Sequence, residues 1–195
     1  MDKTEIRVGG LGGQGVILCG MIIGKAASIF DGKHATLIQA FGPEARGSAC
    51  SAQVSVADEA IGYPYVKNPD VLIVMSPDAY TQFAPQLKPG GVLLYENELI
   101  KVDDRLPAGV KAFGIPATRL AEELGRKLVL NIVMTGFFAG VTGLVSSEAA
   151  ERAVKSSVPR GTEDLNLRAL HRGYEYGRQI LSTSELEAPT TMRRG

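Results

Sequence analysis

Three short runs hold most of the residue types that could do chemistry. Gly10-Leu11-Gly12-Gly13-Gln14-Gly15 has the G-x-G-x-x-G spacing, directly after an apolar run and at the start of a helical one. Glycines let the backbone turn sharply and approach a ligand closely. A helix entrance adds unpaired N–H groups and a partial positive charge, so Gly10, Gly12, Gly13, Gln14 and Gly15 could cradle an anion. The same glycines could also serve only to pack strand tightly on helix. In Phe41-Gly42-Pro43-Glu44-Ala45-Arg46-Gly47-Ser48, two glycines and a proline stiffen a loop carrying one acid and one base. Arg46 could face a phosphate, a carboxylate or a partner subunit. Its other reading is a surface pair with Glu44, worth at most about 1 kcal/mol. Asn131 is an amide inside an apolar run and needs hydrogen-bond partners. It either ties its helix to a neighbouring loop or faces a subunit interface or ligand.

Other chemistries find less support. A dinucleotide site of this type expects an acid about 20 residues on, at the end of the second strand, to hold a ribose hydroxyl. Here that strand ends Leu37-Ile38-Gln39-Ala40-Phe41, and Glu44 comes later, in a loop. A stand-alone NAD(P)- or FAD-binding oxidoreductase is therefore the alternative reading. The 2 cysteines, Cys19 and Cys50, cannot ligate an iron–sulfur cluster alone, since about four are normally needed. Cys19, among Ile17, Leu18 and Met21, reads as a buried thiol. His34 and His171 stand apart from any ligand cluster, and no G-x-S-x-G elbow occurs. Glu122, Glu123, Glu148 and Glu151 have basic neighbours and read as solvated helix faces. With 21 basic against 21 acidic residues and no Trp, neither a chain-wide basic field nor stacking platforms for nucleic acid are present.

The elements that must position these residues follow from periodicity. Glu5 to Gly9 reads as a buried first strand and residues 14–30 as a nearly enclosed helix. Ala35 to Phe41 is a second strand. Cys50 to Ala57 alternates as a half-exposed strand would. Asp70 to Met75 is a continuous apolar run, as in a central parallel strand. Ser76-Pro77-Asp78 caps a helix, and Lys88-Pro89-Gly90-Gly91 turns into the strand Val92 to Tyr95. Val110 to Ile115 is another strand, and Pro116 opens a helix that Gly125 closes. Helices follow at 128–144, about 147–157 and about 163–181. The pattern predicts an α/β fold: a single Rossmann-like domain, a mostly parallel sheet flanked by helices, with a helical C-terminal third. Residues 1–181 form the domain and 182–195 a disordered tail.

Leu128 to Ser147 carries no charge and is about long enough to span a membrane. Its Gly136-x-x-x-Gly140 pair could pack two membrane helices or let a buried helix approach a sheet. The soluble pattern elsewhere favours the buried helix. The N-terminus lacks a signal-peptide core, so a cytoplasmic protein without a membrane span is expected.

Gly10-Leu-Gly-Gly-Gln-Gly15 followed by Phe41-Gly-Pro-Glu-Ala-Arg-Gly47 resembles the paired signature of the gamma subunit of 2-oxoacid:ferredoxin oxidoreductases. Asp70-Val71-Leu72, Pro89-Gly90-Gly91, Pro116-Ala117-Thr118 with Ala121 and Gly125, Asn131 near Gly136, Asn166 and Gly173-Tyr174-Glu175 extend the likeness over residues 5 to 178. Phe41 and Ser48 stand where tyrosine and glycine are common. The resemblance implies a complex that oxidatively decarboxylates a 2-oxoacid to an acyl-CoA and reduces ferredoxin. It implies thiamine diphosphate with Mg2+, an iron–sulfur cluster and coenzyme A in the complex, none held by this chain alone. The implied partners are alpha and beta subunits, a ferredoxin-like delta subunit, and ferredoxin. 2-Oxoglutarate is the favoured oxoacid, with pyruvate or a branched-chain oxoacid as alternatives. No catalytic residue is implied here. The expected roles are cofactor binding at Gly10, Gly12, Gly13, Gln14, Gly15 and Arg46, and an interface at Phe41, Gly42, Pro43, Glu44, Gly47 and Asn131.

Overall fold

The computed structural model describes residues 3–40 and 49–187. The Phe41–Ser48 loop, and with it Arg46 and five of the six expected interface residues, lies outside the described residues.

Six strands form one sheet in the order β2-β3-β1-β4-β5-β6. The strands are β1 Thr4–Leu11, β2 His34–Ala40, β3 Ala49–Ala57, β4 Val71–Val74, β5 Val92–Glu96 and β6 Lys111–Ile115. The pairs β1–β4, β4–β5 and β5–β6 are parallel; β3 runs antiparallel to both β1 and β2. The helices are α1 Val16–Lys25, α2 Pro77–Phe83, α3 Ala117–Glu123, α4 Leu130–Thr142, α5 Ser147–Lys155 and α6 Glu163–Glu187. The expected α/β domain with a mostly parallel sheet is thus present.

Period-two alternation sorts the strand side chains onto two faces. Ile6, Val8, Val54, Ile73 and Leu94 join α1 and α3–α6 in one core cluster. Leu72, Val74 and Leu93 meet Ala79, Tyr80 and Phe83 of α2 on the other face. Ser76 caps α2 as expected, its Oγ accepting from the Ala79 N–H at 3.2 Å with Pro77 at the first position.

Four local expectations are corrected. The first helix ends at Lys25 and continues as a π-turn over Ala26–Phe30. β3 is not half-exposed: Ser51 and Ser55 are buried along with Ala52, Val54 and Val56. It lies between β1 and β2, and the chain beyond it folds back, with the Val66 N–H on Gln53 Oε1 at 2.8 Å and the Val66 carbonyl taking a hydrogen bond from Arg7 Nη2. The last helix continues to Glu187, beyond the end expected for it at about residue 181. Finally, Gly136 and Gly140 face α6, not the sheet. A Cβ on Gly136 would overlap the Leu170 carbonyl, and one on Gly173 would overlap the Val133 carbonyl. Two small-x-x-x-small pairs, Gly136/Gly140 and Gly173/Gly177, therefore bring the backbones of α4 and α6 into contact. Among the described residues no helix is long and apolar enough to cross a membrane.

Candidate functional site

The glycine loop stands at the carboxyl edge of the sheet, where open α/β folds bind ligands. Gly10 is the penultimate residue of β1 and pairs in register with Cys50. Gly13 and Gly15 have φ of 96° and 74°, a left-handed backbone that suits glycine alone. Gly15 then begins α1, which has no side-chain cap and no acid in its first turn. Its positive end is therefore not neutralised from within the helix, as an anion site requires.

Gln14 is placed differently from Gly12 and Gly13. Its Oε1 accepts the Leu11 N–H at 2.7 Å, and its Nε2 donates to the Met75 carbonyl at 3.0 Å. Both ends of the amide are used inside the protein, so Gln14 pins the loop to the end of β4. Gly10 leaves room for it: a Cβ there would stand 2.7 Å from Gln14 Oε1.

Asn131 is only 2% exposed and lies beneath the loop. Its Nδ2 donates to the Gly15 carbonyl at 3.3 Å, and the same carbonyl accepts the Cys19 N–H at 2.9 Å. A Cβ on Gly15 would come within 2.5 Å of Asn131 Nδ2. The hydrogen bond to the Gly15 carbonyl is a tie between helix and loop, one of the two readings of Asn131. Thr135 Oγ1 lies 2.7 Å from the Asn131 carbonyl and 3.2 Å from Cys19 Sγ. Burial pushes the Cys19 thiol up to about 12, and Thr135 offsets this only partly. Cys50, 9% exposed, is also pushed up by burial. Neither is a reactive thiolate near neutral pH.

Sequence reasoning missed a buried carboxylate at the same edge. Glu96 is fully buried at the end of β5. Its Oε2 accepts from the Thr118 N–H at 2.6 Å and from Thr118 Oγ1 at 3.0 Å, and Oε1 accepts the Glu98 N–H at 2.9 Å. The available signal was an acid directly after the apolar run Val92–Tyr95. All its partners are internal, so it secures the entrance of α3 and offers no free acid for catalysis. The solvated reading of the helix acids holds for three of them: Glu122 pairs with Lys127, Glu123 with Arg172 and Glu151 with His171.

The topology counts against the dinucleotide alternative. The expected ribose acid belongs on a strand parallel to β1 and beside it. Here the neighbour on that side is antiparallel β3, which meets the glycine loop with Ala49 and Cys50. No group of three or more His, Cys, Asp or Glu among the described residues could hold a metal. The donor set of this chain also does not fit an iron–sulfur cluster, because Cys19 faces Thr135 in the core while Cys50 lies on β3.

Comparison with known proteins agrees with this arrangement. The family model for pyruvate ferredoxin/flavodoxin oxidoreductase matches residues 5–176. The chain is similar to 2-oxoglutarate synthase subunit KorC of Methanocaldococcus jannaschii, with 43% identity over 91% of this chain and 96% of that one. KorC of Methanothermobacter thermautotrophicus is 47% identical over 89% of this chain and 94% of its own length. Among solved structures, the gamma subunit of a keto/oxoacid ferredoxin oxidoreductase from Geobacter sulfurreducens superposes with a TM-score of 0.79 at 39% identity, covering 90% of this chain and 99% of that chain. A glycine loop without a ribose acid, a core without cluster ligands and an end-to-end match lead to one assignment: the chain belongs to the pyruvate ferredoxin/flavodoxin oxidoreductase family, as a subunit of a 2-oxoacid:ferredoxin oxidoreductase.

Proposed function

We propose that this chain is the gamma subunit of a 2-oxoglutarate synthase and works only inside its complex. The observation that carries the reading is the match to KorC subunits along nearly the full length of both chains. Alpha and beta subunits and a ferredoxin-like delta subunit would be its partners, in the cytoplasm. They would bring thiamine diphosphate, Mg2+ and the iron–sulfur cluster; among the described residues of this chain no group of three or more His, Cys, Asp or Glu could hold a metal. Thiamine diphosphate supplies the carbanion chemistry, and coenzyme A takes up the acyl group.

The chain's own contribution is binding and shape. Gly10, Gly12, Gly13 and Gly15 would admit a phosphate-bearing group to the entrance of α1, with Arg46 as a further cation. Gln14 and Asn131 would hold that entrance rigid from the two sides. The Phe41–Gly47 segment would contact a partner subunit. The substrate assignment is tested on the complex co-purified through this chain, by measuring coenzyme A-dependent viologen reduction with 2-oxoglutarate, pyruvate and 2-oxoisovalerate. A kcat/KM highest for 2-oxoglutarate is expected. A higher value for either other acid would overturn the assignment.

A further inference from the structure

At the opposite, amino edge of the sheet lies a cavity of about 470 Å³ that the proposed function does not use. It opens where α4 stops. Gly143, with φ of 62°, ends that helix just after Thr142, and Val141, Thr142 and Leu144 line the cavity together with the first residues of β4, β5 and β6. Val71, Val92, Phe113, Val141 and Leu144 supply apolar walls. The volume falls within the range of small-molecule sites, about 300–1,000 Å³.

The charged groups at this cavity are Lys88, Lys111 and Asp70. Lys88 Nζ is held by Asp70 Oδ1 at 2.9 Å and by Glu5 Oε2 at 3.4 Å, which leaves one of its three donors unused. Lys111 pairs with Val92 across β5 and β6, and its side chain has no carboxylate partner among the described residues. The chain brings the two lysines to the same rim: the Gly91 N–H bonds to the Lys88 carbonyl, and the Lys111 N–H bonds to the Gly91 carbonyl, each at 2.9 Å. The result is an apolar recess whose rim holds, among the described residues, one ammonium without a carboxylate partner and one that is partly engaged.

We infer that this cavity binds a small monocarboxylate with an apolar body, its carboxylate at Lys111 and Lys88 and its hydrocarbon against Val71, Val92, Phe113 and Val141. Octanoate is a suitable probe. The full-length chain, labelled at Val and Leu methyls, is titrated with octanoate and with octanol, followed by NMR. Saturable shifts confined to Val71, Val92, Val141 and Leu144 are expected with octanoate, with octanol at least about fivefold weaker. Lys111 is exposed, so Lys111→Gln should leave the thermal midpoint unchanged while weakening octanoate about fivefold. Absence of shifts, equal affinity for octanol, or insensitivity to Lys111→Gln would overturn the inference. The titration is repeated on the assembled complex with only this chain labelled. Loss of the shifts there would show that a partner subunit fills the cavity, which would also overturn it.

Discussion

The side-chain amide of Asn131 donates to the carbonyl of Gly15 across 3.3 Å, joining the first turn of α4 to the turn that opens α1. Gly15 has no room for a Cβ because that amide occupies the space. Asn131→Leu should therefore destabilise the chain by about 1–3 kcal/mol, the cost of an unmet buried hydrogen bond. Gly15→Ala, with both a clash and a φ of 74°, should cost at least as much. Urea denaturation of the full-length chain measures both. Wild-type stability in either variant would mean that the tie between loop and helix contributes nothing.

The contact between α4 and α6 predicts opposite outcomes for two glycines. Gly173→Ala drives a methyl into the Val133 carbonyl and should cost about 3 kcal/mol or more. Gly24 in α1 would meet only Val54 Cγ1, at 3.9 Å. Gly24→Ala should therefore stabilise, by up to about 1 kcal/mol, because alanine is the better helix former. Thermal midpoints of the two variants against wild type make the comparison.

Burial of Cys19 sets a pH dependence. Its thiol is pushed from an ordinary value of 9.0 up to about 12 in the folded chain. The folded state thus keeps a proton that the unfolded state releases. This contribution is complete below pH 9 and is lost as pH rises from 9 towards 12. Between pH 8 and 10 the thiol should account for a loss of about 1 kcal/mol. Denaturation at the two pH values, with Cys19→Ala as the reference lacking this group, isolates the effect. An equal pH dependence in the variant would contradict it.

Gly13 tests the helix entrance as an anion site. It is exposed, and a Cβ there would meet nothing within 4 Å. Gly13→Asp places a negative charge beside the start of α1 and should raise the KM for coenzyme A about fivefold in the complex. Gly13→Asn, with similar backbone strain and no charge, should raise it less. Equal effects of the two would assign the loss to the backbone instead of to charge.

Much of this fold was legible because local signals agreed with one another. Ser76-Pro77 and Gly125 mark helix ends through steric rules that tertiary structure did not override. The burial of β3 was not legible. Alternation in Cys50–Ala57 records the side-chain period, but the small serines on its second face are buried, and Gln53 on that same face holds a segment that returns only at Val66. Gly136-x-x-x-Gly140 announced a close approach without naming what approaches; the matching Gly173-x-x-x-Gly177 lies in the last helix, and its role appears only with the packing. At the candidate site the glycine spacing gave the position of the loop. It did not separate Gln14 and Asn131, which hold the loop, from the glycines that open it, because both roles use the same residue types at the same spacing. The division appeared only with the hydrogen bonds to Met75 and Gly15.

In the proposed function this chain shapes a site whose reactive groups other subunits would carry. The most direct measurement is 2-oxoglutarate- and coenzyme A-dependent viologen reduction by the purified chain alone, by the partner subunits alone, and by the two recombined. No turnover by this chain alone, little by the partners, and full activity after recombination are expected. Turnover by the isolated chain, or a complex equally active without it, would contradict the claim.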